Sequence, residues 1–175
     1  MNYTKCCWAI RALVYQLRFK SISMPSYIGK PIYISRGKGI SCGRRVRIYP
    51  GLRAELVNKD SYISIGDNAS IGQNFHVVSY NDNLIIGNDV TIAGNVFITN
   101  CDHDYRGKGK SVLENELIGK HTEIGDGCFL GNNSVILAGT ILGKGCVVGA
   151  NSVLRGIYPE NSVIAGAPAK VLKCY

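Results

Sequence analysis

Aliphatic residues recur every sixth position through the second half of the chain. Seven of them share one phase, and Gly follows five of the first six: Ile118, Ile124, Leu130, Ile136, Leu142, Val148 and Leu154. A period of 3.6 residues indicates a helix and a period of two indicates a strand, so a period of six fits neither. It predicts short units that each form one flat side of a coil and stack on neighbouring coils.

The same period extends upstream with two interruptions. Clear units begin at Ile65, Ile71 and Val77 and, after a slip of three residues, at Ile86, Ile92 and Ile98; weaker units begin at Ile28, Ile34, Ile40, Val46 and Leu52. The breaks are residues 80–85 and residues 101–117. The second break has no aliphatic residue before Val112, so we predict a protruding loop there. Loops on a rigid scaffold often carry function.

Two residues of each six-residue unit, the first and the fifth, are predicted to point into the core. The aliphatic first residue should stack on its equivalent about three units later, and the small fifth residue should fill a tight corner. Gly, Asn and Asp between these positions allow the turn conformations that bulkier residues resist. The expected fold is an all-β parallel β-helix over residues 25–175. The residues expected at the fifth position are Ala69, Thr122, Cys128, Ser134, Thr140, Cys146 and Ser152.

The first 24 residues form a separate basic segment. Residues 3–20 predict a helix with Trp8, Ala12, Tyr15 and Phe19 on one face. Such a helix can cap the open end of the coil, shielding it from edge pairing, or lie at a membrane surface. Both roles remain open at this point.

Charge is concentrated in the first third of the chain. The net charge is +8, and residues 1–60 carry twelve Lys and Arg against two acidic residues. This region suits anionic headgroups or an acidic or lipid-linked glycan. Nucleic acid is a weaker partner, because no binding motif accompanies the charge. Seven scattered cysteines without a Cys-x-x-Cys pair predict reduced thiols, no metal site and a cytoplasmic protein, with peripheral contact at the inner membrane face as an option.

The units match the pattern [LIV]-[GAED]-x-x-[STAV]-x, and the C-terminal region contains V148-GANSV and A165-GAPAKV. In these features residues 60–175 resemble the left-handed β-helix acyltransferases of hexapeptide-repeat type. The resemblance is strongest to maltose and galactoside O-acetyltransferases and to the sugar O-acetyltransferases of capsule and lipopolysaccharide assembly. It implies a homotrimer that binds acetyl-CoA in a groove between subunits.

Acyl transfer to a hydroxyl requires a base, and histidine is suited to that task near neutral pH. Of His76, His103 and His121, we favour His103, which follows Ile98 by five residues where the loop leaves the coil. The resemblance implies the same residue. His121, before Glu123, resembles more weakly the Arg-His pair of serine acetyltransferases.

Several polar residues are candidates to orient His103 or to bind the acceptor. With three units per coil, the unit at Val77 lies beneath the unit at Ile98, so Asp82 is expected near His103. The resemblance adds Gln73, at a position where galactoside-type enzymes carry Asn. The full set is Gln73, His76, Asn81, Asp82, Asn83 and Asp102.

For acetyl-CoA, the resemblance implies a set of contacts along the C-terminal coils. Phe129 replaces a frequent Trp, the amide of Ala150 meets the pantetheine arm, Arg155 replaces a Thr, and lysines reach the nucleotide phosphates. The full set is Phe129, Gly131, Asn132, Ala150, Arg155, Pro168, Lys170 and Lys173.

Together these features predict an acetyl-CoA-dependent O-acetyltransferase that acts directly on a sugar hydroxyl in cell-surface polysaccharide biosynthesis, with no nucleophilic cysteine. Three alternatives stay open. They are an N-acetyltransferase of an amino-sugar nucleotide, a serine acetyltransferase without its usual N-terminal helical domain, and a non-catalytic β-helix scaffold.

Overall fold

The computed structural model describes residues 3–106 and 111–175 as a parallel β-solenoid preceded by one helix, α1 (Tyr3–Tyr15). The strands are β1 (Ser21–Ile22), β2 (Tyr27–Ile28), β3 (Tyr33–Ile34), β4 (Ile40–Cys42), β5 (Arg47–Ile48), β6 (Arg53–Leu56), β7 (Tyr62–Ile65), β8 (Ser70–Ile71), β9 (His76–Ser79), β10 (Asn83–Ile86), β11 (Thr91–Ile92), β12 (Phe97–Thr99), β13 (Cys101–His103), β14 (Leu117–Gly119), β15 (Glu123–Ile124), β16 (Phe129–Leu130), β17 (Val135–Ile136), β18 (Ile141–Leu142), β19 (Val147–Val148), β20 (Val153–Leu154), β21 (Ile157–Tyr158), β22 (Ser162–Gly166) and β23 (Ala169–Cys174). Gly37–Gly39 and Val112–Glu114 form short 3-10 turns.

The solenoid has three faces. Face A is the sheet β1-β4-β7-β10-β15-β18-β21, face B is β2-β5-β8-β11-β16-β19-β22-β23, and face C is β20-β17-β12-β9-β6-β3. Among the described residues, two strand pairs are antiparallel: β13 with β14, and β22 with β23. The predicted parallel β-helix is confirmed.

Aliphatic stacking through the coils forms the core, as predicted for the units from Ile65 onward. The weaker units predicted at Ile40, Val46 and Leu52 are out of phase by two residues: Cys42, Ile48 and Ala54 pair in register with Ile65, Ile71 and Val77. On face C, Ile98 pairs in register with Val77 on one side and with Ile136 on the other, and all three side chains are buried. Fully burying one such side chain stabilises the fold by about 1.5–3 kcal/mol. The predicted small fifth-position residues, including Cys128 and Cys146, are buried as well. Burial raises the pKa of the Cys128 thiol to about 12, which keeps it protonated.

The number of residues per coil changes along the axis, and the additional residues lie in the turns between faces. Ile65 pairs with Ile86, a separation of 21 residues, whereas Ile124 pairs with Leu142, a separation of 18. The slip predicted at 80–85 is therefore the turn before β10, where Asn81 adopts a left-handed conformation with φ 53°. Asn tolerates that conformation better than most residues because its short polar side chain bonds locally.

The protruding segment leaves the coil at a single corner, between face C and face A. Asn100 is buried, and its side-chain amide accepts a bond from the Tyr80 N–H at 2.7 Å and donates one to the Tyr80 carbonyl at 3.1 Å. The Lys120 N–H donates to the Asn100 carbonyl at 2.8 Å, so the coil closes again directly after the insertion. The insertion spans 101–119 rather than the predicted 101–117, because β13 and β14 pair as a hairpin that includes Leu117–Gly119.

Both ends of the solenoid carry additional structure. Helix α1 packs on the first coil, where Ala12 is buried, Arg11 donates to the Ile28 carbonyl at 3.0 Å, and the rings of Trp8 and Tyr49 lie 5.4 Å apart. The helix ends at Tyr15 instead of residue 20. At the other end, β23 folds back on β22.

No helix in the described part of the chain is long and apolar enough to cross a membrane.

We predict that Asn100→Ala destabilises the solenoid by about 1–3 kcal/mol, since the Tyr80 backbone groups lose their partners where the coil opens. Urea unfolding followed by circular dichroism measures this. Thr91→Ala, on an exposed position of face B, should stay within about 0.5 kcal/mol of the wild type. Equal stability of the two variants would contradict a structural role for the Asn100 amide.

Candidate functional site

The hairpin formed by β13 and β14 divides the corner between faces C and A into two clefts. The upper cleft, about 580 Å³, is lined by Asp102, His103, Asp104, Tyr105, Arg106, Ile118, Lys120 and Arg155. The lower cleft, about 370 Å³, is lined by Tyr80, Asn81, Asp82, Leu117, Gly119, Lys120 and His121. Lys120 borders both clefts.

The upper cleft contains His103. This residue ends β13 opposite Leu117, and its side chain is exposed. Within 3–106 and 111–175, no residue hydrogen-bonds to its imidazole. Asp104 and Arg106 form an ion pair beside it at 2.9 Å, which lowers the pKa of the Asp104 carboxyl. The imidazole therefore faces a polar cleft that is open to a bound molecule.

A bidentate ion pair between Arg155 and Asp102 holds the hairpin against the solenoid. Arg155 donates from Nη1 and Nη2 to the two carboxylate oxygens of Asp102, at 2.8 and 3.0 Å. Arg155 follows β20, two strands along face C from β12, so the pair ties the hairpin to a later coil. Arg155 therefore lies beside His103, apart from the other acetyl-CoA candidates, and the Asp102 carboxylate is bonded to Arg155 rather than to His103. The contact of Arg155 with acetyl-CoA stays a prediction.

Asp82 is not placed beside His103, contrary to prediction. Its carboxylate contacts Nδ1 of His121 at 2.9 Å, and Glu123 contacts Nε2 of the same ring at 3.2 Å. The reason is the insertion: it carries His103 out of the coil, and His121 is among the residues that re-enter the coil above Asp82. The Asp82 carboxylate, and secondarily that of Glu123, raises the pKa of His121 above 6.5.

The two asparagines next to Asp82 have partners within the solenoid. The Asn81 carbonyl oxygen accepts from the Asn58 amide at 2.5 Å, and Asn81 remains exposed at the lower cleft. Asn83 accepts from the Ser64 hydroxyl at 2.9 Å on face A, away from both clefts. Only Asn81 of this pair is therefore positioned to meet an acceptor.

His76 belongs to a third group, on face C. Its Nε2 lies 2.7 Å from Glu55, which also binds Arg53 at 2.6 Å, and its ring packs on Phe97 with 4.8 Å between centroids. Arg53, and secondarily His76, lowers the pKa of Glu55. Sequence reasoning missed Glu55 and Arg53, because the predicted unit start at Leu52 is two residues away from Ala54, which pairs with Val77 and so places Arg53 beneath His76.

The remaining acetyl-CoA candidates lie on face B, at its corner with face C, and in the C-terminal hairpin. Asn132 donates to the Gly94 carbonyl at 2.8 Å, and a Cβ on Gly131 would lie 2.5 Å from the Ala150 nitrogen, so only glycine fits there. Phe129 is exposed on face B, Pro168 lies between β22 and β23, and Lys170 and Lys173 are exposed on β23. Gln73 belongs to the same corner, since a Cβ on Gly94 would lie 2.8 Å from its side-chain nitrogen. Face C separates this corner from His103.

Cys101 lies next to the site but is poorly suited to act as a nucleophile. Burial raises the pKa of its thiol, and its sulfur lies 3.6 Å from the Thr99 hydroxyl. A protonated thiol is a weak nucleophile. This agrees with direct transfer rather than a cysteinyl intermediate.

Two families of repeats match the chain: the bacterial transferase hexapeptide (six repeats) over residues 121–156 and the hexapeptide repeat of succinyl-transferase over residues 62–100. The putative lipopolysaccharide biosynthesis O-acetyl transferase WbbJ of Escherichia coli (strain K12) is 38% identical over 170 residues, covering 83% of this chain and 76% of WbbJ.

Solved structures share the fold. The hexapeptide-repeat containing acetyltransferase VCA0836 of Vibrio cholerae is 25% identical with a TM-score of 0.68, over 95% of this chain and 80% of that one. A maltose O-acetyltransferase of Clostridium difficile 630 is 21% identical with a TM-score of 0.65, over 99% and 89%. The N-acyltransferase AntD of Bacillus cereus, in complex with dTDP and 3-hydroxybutyryl-CoA, is 16% identical with a TM-score of 0.78, over 94% and 87%.

We predict that the His121 imidazole titrates above pH 6.5 and that Asp82→Asn brings its pKa back toward that value, because Asp82 is the main source of the shift. A pKa raised in the folded state stabilises the fold below pH 6.5, and this stabilisation is lost as the pH rises through the raised pKa. NMR titration of the three histidines measures both values. Asp89→Asn, at a different corner, should leave His121 unchanged; an unshifted His121 in the wild type would contradict the pairing.

Proposed function

Because this chain belongs to the hexapeptide-repeat acyltransferases, we propose that it transfers an acetyl group from acetyl-CoA to a sugar hydroxyl in cell-surface polysaccharide biosynthesis. That the chain is an acyltransferase follows from its relatives. The choice of a sugar hydroxyl as acceptor is supported by the likeness to an O-acetyl transferase of lipopolysaccharide biosynthesis over most of the chain.

The observation that carries the mechanism is the free imidazole of His103 in the upper cleft, on a hairpin fixed by the Arg155–Asp102 pair. In this proposal His103 removes the proton from the acceptor hydroxyl, whose oxygen attacks the thioester carbonyl carbon. The developing oxyanion is stabilised by a backbone N–H of the cleft and by the nearby Lys120 ammonium. Collapse of the resulting tetrahedral intermediate breaks the C–S bond, and the imidazolium gives its proton to the departing thiolate of CoA.

The lower cleft supplies polar groups suited to the acceptor. Asn81 and Asp82 line it with His121, and carboxylate and amide oxygens accept bonds from sugar hydroxyls. Lys120 borders this cleft and the upper one. Because His103 lies in the upper cleft, the reacting hydroxyl would belong to the part of the acceptor that extends past Lys120 from the lower cleft into the upper one.

Acetyl-CoA is assigned to the corner between faces B and C, where Gly131, Asn132 and Ala150 stack on successive coils. Since face C lies between this corner and His103 within one chain, we place the donor in a groove shared by two subunits of a homotrimer. One subunit provides the His103 corner and its neighbour provides the Asn132 corner. Face C presents Phe97, Val135 and Val153 outward in register, an apolar column that such a neighbour would cover.

We predict that His103→Ala lowers turnover by about two to four orders of magnitude, because the general base is lost, while the Kd for CoA stays the same. Thiol release from acetyl-CoA is measured against hydroxyl sugars, amino-sugar nucleotides and extracted cell-surface glycan. Asp89→Asn is the control, since Asp89 is exposed at the corner between faces A and B, away from both clefts and from face C, and it should keep turnover within about threefold.

Turnover of the wild type on amino sugars alone would replace O-acetylation with N-acylation. Near-normal turnover of His103→Ala would refute the assignment of the base. Absence of both turnover and CoA binding in the wild type would support a scaffold instead of an enzyme.

We also predict that Lys170→Gln with Lys173→Gln raises the Kd for CoA about tenfold, as expected for the loss of a charge-assisted contact to phosphate. Calorimetry measures CoA against pantetheine, which lacks the nucleotide phosphates and should bind both proteins equally. Lys144→Gln, an exposed lysine outside the proposed groove, is the control. An equal loss for pantetheine would show that the two lysines act on the fold rather than on phosphate.

A further inference from the structure

Helix α1 is apolar on both of its faces. One face packs on the first coil through Ala12, as described above. The opposite face is exposed and carries large apolar side chains at helical spacing: Tyr3, Ile10, Leu13 and Val14, with Leu17 in the turn that follows the helix. Ile10 is 61% and Leu17 is 80% exposed. A contiguous apolar patch with a polar border marks a surface that contacts another phase or molecule.

Further exposed apolar residues lie on the first coil, near the end of the helix. Ile32 and Tyr33 are exposed and share a recess of about 350 Å³ with Arg18, just beyond the end of the helix. Lys5 borders another recess, of about 280 Å³, with Trp8, Tyr27, Arg47 and Tyr49. The helix therefore has a basic residue near each end, and each lies beside aromatic rings.

The same end of the molecule holds the excess positive charge. Residues 1–60 carry twelve Lys and Arg, whereas their acidic residues are Glu55 and Asp60. Glu55 is already paired with Arg53 and His76. Exposed basic residues in the first two coils are Lys30, Lys38, Arg44, Arg45 and Arg47. An apolar helix face within a basic surface is the pattern of helices that lie in a membrane interface.

We propose that α1 docks the N-terminal end of the solenoid on an anionic phospholipid surface. The stripe Tyr3, Ile10, Leu13, Val14 and Leu17 enters the boundary between headgroups and acyl chains, and the lysines and arginines meet lipid phosphates. Charge complementarity selects this partner over a second copy of the chain, because two such ends facing each other would bring like charges together. The inference is independent of the acyl-transfer chemistry.

The test is co-sedimentation of the full chain with vesicles of phosphatidylglycerol and phosphatidylcholine, compared with vesicles of phosphatidylcholine alone. We expect binding to the anionic vesicles that weakens with salt. Ile10→Ser with Leu17→Ser should lower the partition coefficient at least tenfold. Lys5→Gln with Arg18→Gln should lower it roughly twenty-five-fold and reduce the salt dependence, at about fivefold per basic residue.

The matched control is Ile157→Ser with Leu172→Ser, which removes two equally exposed apolar residues near the other end and should bind as the wild type does. Circular dichroism confirms that every variant is folded, and sedimentation velocity gives its mass without lipid. The proposal is overturned if the wild type does not bind anionic vesicles. It is also overturned if the helix variants bind them normally, or if Ile10→Ser with Leu17→Ser alters the oligomeric mass and leaves vesicle binding intact.

Discussion

Vertical register between coils is the constraint on which the rest of the structure depends. Most strands of the C-terminal coils are two residues long, so their hydrogen bonds and their buried contacts both come from the coils above and below. Ile98 stabilises the core only while it lies between Val77 and Ile136. The chain can therefore gain or lose residues only at corners, and the corner between faces C and A contains both the three-residue slip and the hairpin.

An insertion that opens a coil in such a stack leaves backbone groups without their usual hydrogen-bond partners. The side chain of Asn100 supplies these partners. Its amide meets both the N–H and the carbonyl of Tyr80, as a further strand residue would. The inserted hairpin is then fixed from the other direction by Arg155. His103 thus lies on an element that is held at its base and along its length, which is the preorganisation that a positioned base requires.

From Ile65 onward the six-residue period was sufficient to predict the core, the small residues at the corners and the presence of the protruding segment. In the coils before Ile65 the spacing is irregular, and the predicted units at Ile40, Val46 and Leu52 were two residues out of phase. The period could not predict which residues contact each other across the insertion. Counting coils placed Asp82 beneath His103, but β13 and β14 remove His103 from the coil, and Asp82 meets His121 instead. The pair between Arg155 and Asp102 was not foreseen, because Asp102 lies on the hairpin, whose path does not follow the period. Glu55 was overlooked because its coil is two residues out of phase with the predicted unit at Leu52.

The proposed subunit interface on face C and the proposed membrane-docking surface of α1 can both be used in one assembly. In the proposed cyclic trimer the subunits are related by rotation about one axis, so all three copies of α1 would lie at the same end of the assembly. A single helix of thirteen residues with a short apolar stripe is expected to bind a bilayer weakly, whereas three of them on one rigid body would bind with the avidity of linked contacts. Trimer formation and membrane docking, which are separate proposals for one chain, therefore reinforce each other in the assembly.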